Sequence, residues 1–166
     1  MSSAPSTRLP VQLRDAQSDD LDAVLTVMNR AFDPNFGEAW TRSQCSGILP
    51  LHGVMLVVAE DRDDRRTAGF MLMRCVADEA ELLLLAVDPD FQSRGAGAGL
   101  VAHFVDRASG WGAHHLHLEV RQSNPAVHFY QRHGFTVAGR RRDYYHGPDG
   151  DPHDALTMVR MLPQII

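Results

Sequence analysis

The chain has 166 residues, 44% of them hydrophobic, a formal net charge of −5 and two cysteines. A domain of about 150 residues buries roughly 68–70% of its unfolded surface, so there is apolar material for one core. A single domain over residues 11–166 is expected, behind a flexible tail of residues 1–10 whose Ser and Pro content leaves little to pack. The acidic balance argues against nonspecific nucleic-acid binding, which needs lysine and arginine to displace counterions. Arg140-Arg141-Arg142 is the one basic cluster and is too short for a nucleic-acid arm. The longest aliphatic run, Leu82 to Val87, falls far short of the ~20 residues of a membrane-spanning helix, and no secretory leader is visible. Cys45 and Cys75 have neither disulfide-framework nor metal spacing, which fits a reduced, cytoplasmic protein.

Val11 to Asp15 reads as a short first strand. Ser18 is expected to cap a helix carrying Leu21, Val24, Leu25 and Met28 on one face. Thr41-x-x-Gln44 is a capping-box pattern that starts a second helix after the loop Asp33 to Trp40. Met55 to Glu60 and Thr67 to Val76 form a hairpin around the charged turn Asp61 to Arg66, and Ala80 to Val87 follows as another strand. Leu100, Val101, Phe104, Val105 and Ala108 then recur with helical period, and Gly110 is expected to close that helix in the left-handed region. His114 to Val120 alternates, with Leu116, Leu118 and Val120 on one face. Asn124 and Pro125 supply the N-cap and first position of a short helix that Gly134 ends. Val137 to Tyr145 and Ala155 to Leu162, separated by the turn-rich stretch Gly147 to Pro152, complete the sheet. The whole is an α/β domain with a mixed, mainly antiparallel sheet of about six to seven strands flanked by about four helices.

Between the apolar strand and its helix lies Gln92-Ser93-Arg94-Gly95-Ala96-Gly97-Ala98-Gly99. A strand, a glycine-rich turn and a helix N-terminus present unpaired N–H groups and the positive end of the peptide dipoles, an arrangement that binds phosphate oxygens. A Walker loop would end in Gly-Lys-Ser or Gly-Lys-Thr, whereas Gly97 is followed by Ala98 and Gly99. A dinucleotide fingerprint would have a third small residue where Leu100 stands. Glu119 does lie about 20 residues downstream, where a ribose-binding acid belongs, so that reading stays open. Against it, the fingerprint normally opens its domain, and here more than half the chain precedes the turn.

The pattern Gln92-x-x-Gly95-x-Gly97 after a strand ending Ala86-Val87-Asp88-Pro89 resembles the acetyl-coenzyme A loop of the GCN5-related N-acetyltransferases (GNAT). The resemblance continues through Leu118-Glu119-Val120-Arg121, Ser123-Asn124, Phe129-Tyr130, Gly134-Phe135 and Arg141-Arg142-Asp143-Tyr144-Tyr145. As a set it is most similar to the RimI-type enzymes, which acetylate the N-terminal alanine of a small-subunit ribosomal protein. The resemblance implies acetyl-coenzyme A as cosubstrate and a protein N-terminus as acceptor. It also implies two parallel neighbouring strands, Ala80–Val87 and His114–Val120, that splay apart to admit the pantetheine arm. The implied cofactor-binding residues are Leu85, Ala86 and Val87 on the strand, Gln92, Ser93, Arg94, Gly95, Ala96, Gly97 and Ala98 on the turn, and Asn124. The implied acceptor residues are Trp40, Arg142, Tyr144 and Tyr145, with Glu119 as base and Tyr130 as acid. Asn124 reads equally as a helix cap, and the stretch from Asn124 to Tyr130 is one residue shorter than the family pattern. Ala39-Trp40-Thr41 stands where the family commonly has Pro-Trp-Ser.

Forming an amide from a thioester needs a neutral amine, a donor for the oxyanion and a proton for the departing thiolate. Deprotonation at pH 7 costs roughly 1 kcal/mol for an α-amine and about 4.6 for lysine, so a modest base such as Glu119 suffices for an N-terminal acceptor. The Tyr130 phenol, with a reference pKa of about 10 against about 8.5 for a thiol, can donate to the leaving sulfur. The Val87 N–H would polarise the carbonyl. A lysine side chain or a small-molecule amine is an alternative acceptor for the same chemistry. Two further readings come from other classes. His115, His117 and Glu119 share strand parity and suggest a metal-dependent hydrolase, although i, i+2 positions ~7 Å apart spread three ligands widely. A noncatalytic coenzyme A-binding module is the other.

Overall fold

The computed structural model describes residues 10–164; residues 1–9 of the expected tail, and residues 165 and 166, lie outside the described residues. In chain order the elements are β1 (Val11–Asp15), α1 (Leu21–Ala31), α2 (Arg42–Ile48), β2 (Val54–Asp61), β3 (Thr67–Val76), β4 (Glu79–Val87), α3 (Ala96–Trp111), β5 (His115–Arg121), α4 (Ala126–Arg132), β6 (Thr136–His146) and β7 (Pro152–Met161). The seven strands lie in the order β1-β2-β3-β4-β5-β7-β6. Every neighbouring pair is antiparallel except β4 and β5, which run parallel because α3 carries the chain back between them.

Alternation along β3 builds a core on each face of the sheet. Met71 and Met73 share one buried cluster with Leu100, Val101 and Phe104 of α3. Phe70 and Leu72 share the other with Leu21, Val24 and Met28 of α1. In β4 the alternation breaks. Met73 pairs with Leu82 and Leu72 with Leu84, so Leu83 is an extra residue with no partner on β3. One inserted residue exchanges the faces of everything after it. Accordingly Ala80 and Leu82 pack in the α3 cluster, whereas Leu84 and Ala86 pack in the α1 cluster. The parallel ladder ends at the same point: Glu79, Ala80, Glu81 and Leu82 pair with His115 to Leu118, and no residue of β4 beyond Leu82 pairs with β5.

Two helix boundaries differ from the sequence reading. The first helix opens with a 3-10 turn at Ser18–Asp20, and the capping carboxylate is that of Asp20, which accepts the Gln17 N–H at 3.0 Å. Asp20 takes this role because Arg14 of β1 forks onto both of its oxygens, at 3.0 and 2.8 Å. The helix expected to stop at Gly110 continues to Trp111 and closes on Gly112 at φ +102°. There the Ala113 N–H bonds the Ala108 carbonyl at 2.9 Å. Closing two residues later lets Ala113 and Ala108 both bury, the apolar contact that accompanies such a C-terminal turn. The Thr41–Gln44 capping box forms as expected, with reciprocal bonds of 2.8 and 3.2 Å.

The Arg14 hydrogen bonds hold the Asp20 carboxyl below its ordinary value, against the opposing effect of burial. A carboxyl whose folded pKa is depressed binds fewer protons folded than unfolded, so its stabilisation is full above the unfolded value of about 3.9 and is lost as pH falls through the folded one. Asp20→Asn is therefore expected to destabilise by about 1 kcal/mol at pH 7. The difference from the native protein in urea denaturation should shrink as pH falls below the unfolded value and vanish once it passes the folded one.

Candidate active site

On β5 the residues Leu116, Leu118 and Val120 go into the core, which turns His115, His117, Glu119 and Arg121 to the other face. Glu119 stands opposite Thr157 of β7. The Thr157 hydroxyl donates to Glu119 Oε2 at 2.7 Å, and Arg141 Nε of β6 lies 3.1 Å from Oε1. The Tyr145 hydroxyl donates to the main-chain carbonyl of Glu119 at 3.2 Å. Two donors and a neighbouring strand thus fix the carboxylate, whose side chain is only 7% exposed.

Tyr130 projects from α4 and is buried, with its ring edge-on to Phe129 and Phe135 at 5.2 and 6.1 Å. Burial pushes its phenol well above the ordinary range, and the Glu38 charge adds to the shift, so it stays protonated at neutral pH. Burial acts likewise on Tyr145, reinforced by Glu38. Tyr144 and Tyr145 meet edge to face at 4.9 Å. Their placement comes from an irregularity in β6. Arg141 pairs with Ala155 and Tyr145 with His153, so Arg142, Asp143 and Tyr144 face Asp154 alone. The Asp154 carboxylate pins this bulge by accepting the Asp143 N–H at 3.0 Å and Arg140 Nε at 2.7 Å, with Asp143 at φ +53°.

These side chains enclose a cavity of about 130 Å³ at the open end of the β4–β5 split. Leu83, Leu85, Glu119, Asn124 and Tyr130 line its inner wall; Glu38, Trp40, Tyr144 and Tyr145 line the outer one. Of the sequence-derived acceptor residues, Trp40, Tyr144 and Tyr145 converge there. Arg142 does not: it is exposed in the bulge, and its neighbour Arg141 reaches Glu119 instead. Asn124 takes the capping part and also faces the cavity. Its Oδ1 accepts the Ala126 N–H at 2.8 Å, capping α4, and its Nδ2 donates to Glu38 Oε2 at 3.2 Å from the cavity wall.

Leu85, Ala86 and Val87 pair with Met71, Phe70 and Gly69 of β3 and, among the described residues, have no strand on their other side. Past them, Asp88 is buried between Arg30 and Arg66, 3.5 and 3.4 Å away, and accepts the Asp90 N–H at 2.9 Å. Phe91 follows, with the guanidinium groups of Arg66 and Arg94 over its ring. Gln92 is extended, Ser93 adopts φ +65° and Gly95 φ +85°. The first intrahelical bond of α3 runs from Gly99 N–H to Gly95 O, so the N–H groups of Ala96, Gly97 and Ala98 precede it, and Gly95 offers no side-chain cap. A Cβ on Gly97 would lie 3.4 Å from the Phe129 ring and 3.7 Å from Val87, ordinary contact distances, so α4 and β4 flank the start of α3.

His115 and His117 turn to separate carboxylates, Asp78 at 3.6 Å and Glu81 at 3.7 Å, and the latter raises the His117 pKa. Among the described residues no three His, Cys, Asp or Glu side chains are grouped to hold a metal. Sequence reasoning named Arg141 only within the Arg141–Tyr145 signature and did not name Thr157. Their relation to Glu119 depends on strand register across β5, β7 and β6, which no local motif carries.

Residues 52–137 match the profile of the acetyltransferase (GNAT) domain. The chain belongs to that family. It is 45% identical over 98 residues to the ribosomal protein bS18-alanine N-acetyltransferase of Salmonella typhimurium, a match covering 58% of this chain and 65% of the relative. The Escherichia coli K12 protein of the same name is 43% identical over 95 residues, 57% of this chain and 64% of the relative. The chain thus matches a little under two thirds of the length of these curated relatives. The crystal structure of the ribosomal-protein-S18-alanine N-acetyltransferase from Escherichia coli superposes with a TM-score of 0.81 at 30% identity, covering 94% of this chain and 96% of that one. Among the described residues no helix is long and apolar enough to cross a membrane.

Thr157→Val keeps the shape of the side chain but removes the hydroxyl that holds Glu119. A loss of about 1 kcal/mol in urea denaturation is expected.

Proposed function

We propose that this protein is an acetyl-coenzyme A-dependent N-acetyltransferase that acetylates the N-terminal α-amine of a protein, of the ribosomal-protein alanine type. The observation that carries the reading is the split in the sheet after Leu82 and Leu118, which opens into one cavity lined by both Glu119 and Tyr130. The relatives named for acetylating the alanine of bS18 support the choice of acceptor. Such an acceptor belongs to the cytoplasm, and residues 11–166 then act as one catalytic domain.

The chain fits the cosubstrate. Uncapped N–H groups at Ala96, Gly97 and Ala98, next to the Gln92–Gly95 turn, suit diphosphate oxygens. The free edge of Leu85, Ala86 and Val87, with Asn124 opposite, suits the amides of a pantetheine arm. Acetyl-coenzyme A supplies an acyl carbon activated as a thioester. Glu119 accepts the proton of the attacking amine, directly or through a water, while Thr157 and Arg141 hold its two oxygens in place. Tyr130, kept protonated by burial, gives its proton to the sulfur as the C–S bond breaks. The Val87 N–H is the donor to the carbonyl oxygen. Trp40, Tyr144 and Tyr145 shape the seat of the acceptor.

Tyr130→Phe should lower kcat by about 10²–10⁴-fold while leaving the acetyl-coenzyme A Kd within about twofold, as read by stopped assays and calorimetry. Glu119→Gln should depress the rate most near neutral pH and progressively less at alkaline pH, where the amine is already neutral; a pH-independent loss counts against the base role. The deciding assay offers acetyl-coenzyme A with peptides bearing a free N-terminal alanine, the same peptides blocked but lysine-bearing, and a polyamine. Transfer to the first set supports the proposal, and transfer confined to the other two overturns it.

A further inference from the structure

Arg121 plays no part in the chemistry above, yet it is the most deeply committed cation beside the cavity. Its side chain is 10% exposed, and its Nε donates to Glu38 Oε1 at 2.9 Å. Its guanidinium also bonds Ser123 and lies over the Phe36 ring at 3.6 Å. The other oxygen of Glu38 is held by Asn124. Phe36 and Glu38 belong to the loop between α1 and α2, whereas Arg121 is the last residue of β5.

The same loop is locked to the β6–β7 hairpin by backbone contact. A Cβ on Gly37 would fall 1.9 Å from the His146 carbonyl oxygen, and one on Gly147 would fall 2.0 Å from the Asn35 carbonyl oxygen. Phe36 meets His153 of β7 edge-on at 5.0 Å, so its ring is held between the hairpin and Arg121. Three segments distant in sequence therefore meet at one aromatic ring. The two outer segments supply the outer cavity wall, Glu38 and Trp40 from one and Tyr144 and Tyr145 from the other.

We propose that Arg121 is a positioning residue for acceptor selection: by drawing Glu38 and Phe36 onto β5 it seats the α1–α2 loop against the β6–β7 hairpin and narrows the acceptor side of the cavity to a slender amine-bearing chain end. A buried pair of this kind contributes little net stability against its desolvation, so its value lies in where it fixes the loop. Lysine is a poor replacement, because it lacks the planar fork that bonds Glu38 and stacks on Phe36 at once. The inference deepens the acceptor reading above and rests on it.

The test uses Arg121→Met, together with Gly147→Ala, which pushes the hairpin off the loop without leaving a buried charge unpaired. Acetylation of peptides with N-terminal alanine and with N-terminal phenylalanine is compared, alongside the acetyl-coenzyme A Kd and hydrogen exchange of residues 33–40. Both variants should raise KM for the alanine peptide by about tenfold with kcat changed by less than about threefold, and should narrow the preference for alanine over phenylalanine. The acetyl-coenzyme A Kd should hold, and exchange in residues 33–40 should rise. Unaltered selectivity, or a fall in kcat with KM unchanged, overturns the inference. If Arg121→Met does not fold, Gly147→Ala alone decides it. Failure of the acceptor reading is distinguishable: native protein would then ignore the alanine peptide, while exchange in residues 33–40 would still report whether Arg121 holds the loop.

Discussion

One unpaired residue in a strand governs the working part of this molecule. Leu83 has no partner on β3, and the insertion both exchanges the faces of β4 and ends its ladder with β5. A continuous parallel ladder would leave no space between the strands at Glu119. With the ladder broken, the main chain of Leu85 to Val87 keeps one side unpaired, and a cavity opens beside it. Unpaired main-chain groups next to a cleft demand partners, and a ligand rich in amides can supply them. Bulges next to functional sites commonly serve to end pairing in this way.

The cavity is lined by three carboxylates, those of Glu38, Glu81 and Glu119, and by three phenols in a small volume, and arginines beside two of the carboxylates make that arrangement tolerable. Glu119 faces Arg141 and Glu38 faces Arg121, each from a different element. Burial, reinforced by the Glu38 charge, raises the proton affinity of these phenols, which keeps Tyr130 and Tyr145 in the donor form. Tyr145 uses its proton on the carbonyl of Glu119, while no bond within the protein claims that of Tyr130 among the described residues. The two tyrosines thus divide between holding the Glu119 main chain and keeping a free hydroxyl at the cavity.

Much of this was legible locally. The Thr41 capping box, the hairpin from β2 to β3, the glycine turn, and the Asn-Pro start of α4 all rest on contacts within a few residues, and all formed. So did the split between the parallel strands that the family resemblance implied. Where the reading slipped, a packing or side-chain contact outside the local signal had entered. Asp20 caps the first helix because Arg14 of another element holds it. The third helix passes Gly110 because burying Ala113 favours the later glycine.

The sequence alone thus determined the elements and the glycine turn, since these are carried by periodicity and by residue types at short spacing, while the proposed roles of Glu119 and Tyr130 came from the family resemblance. The tertiary structure alone decided the position of the bulge, the partners of Glu119 and the joining of the two acceptor-side segments. The run from Leu82 to Leu85 is uniformly apolar, so sliding it by one residue changes no burial and leaves no mark in its pattern. Likewise, Arg141 rather than Arg142 meets Glu119 because the Asp154 carboxylate gathers a bulge across the hairpin, and that register exists only once the strands have paired.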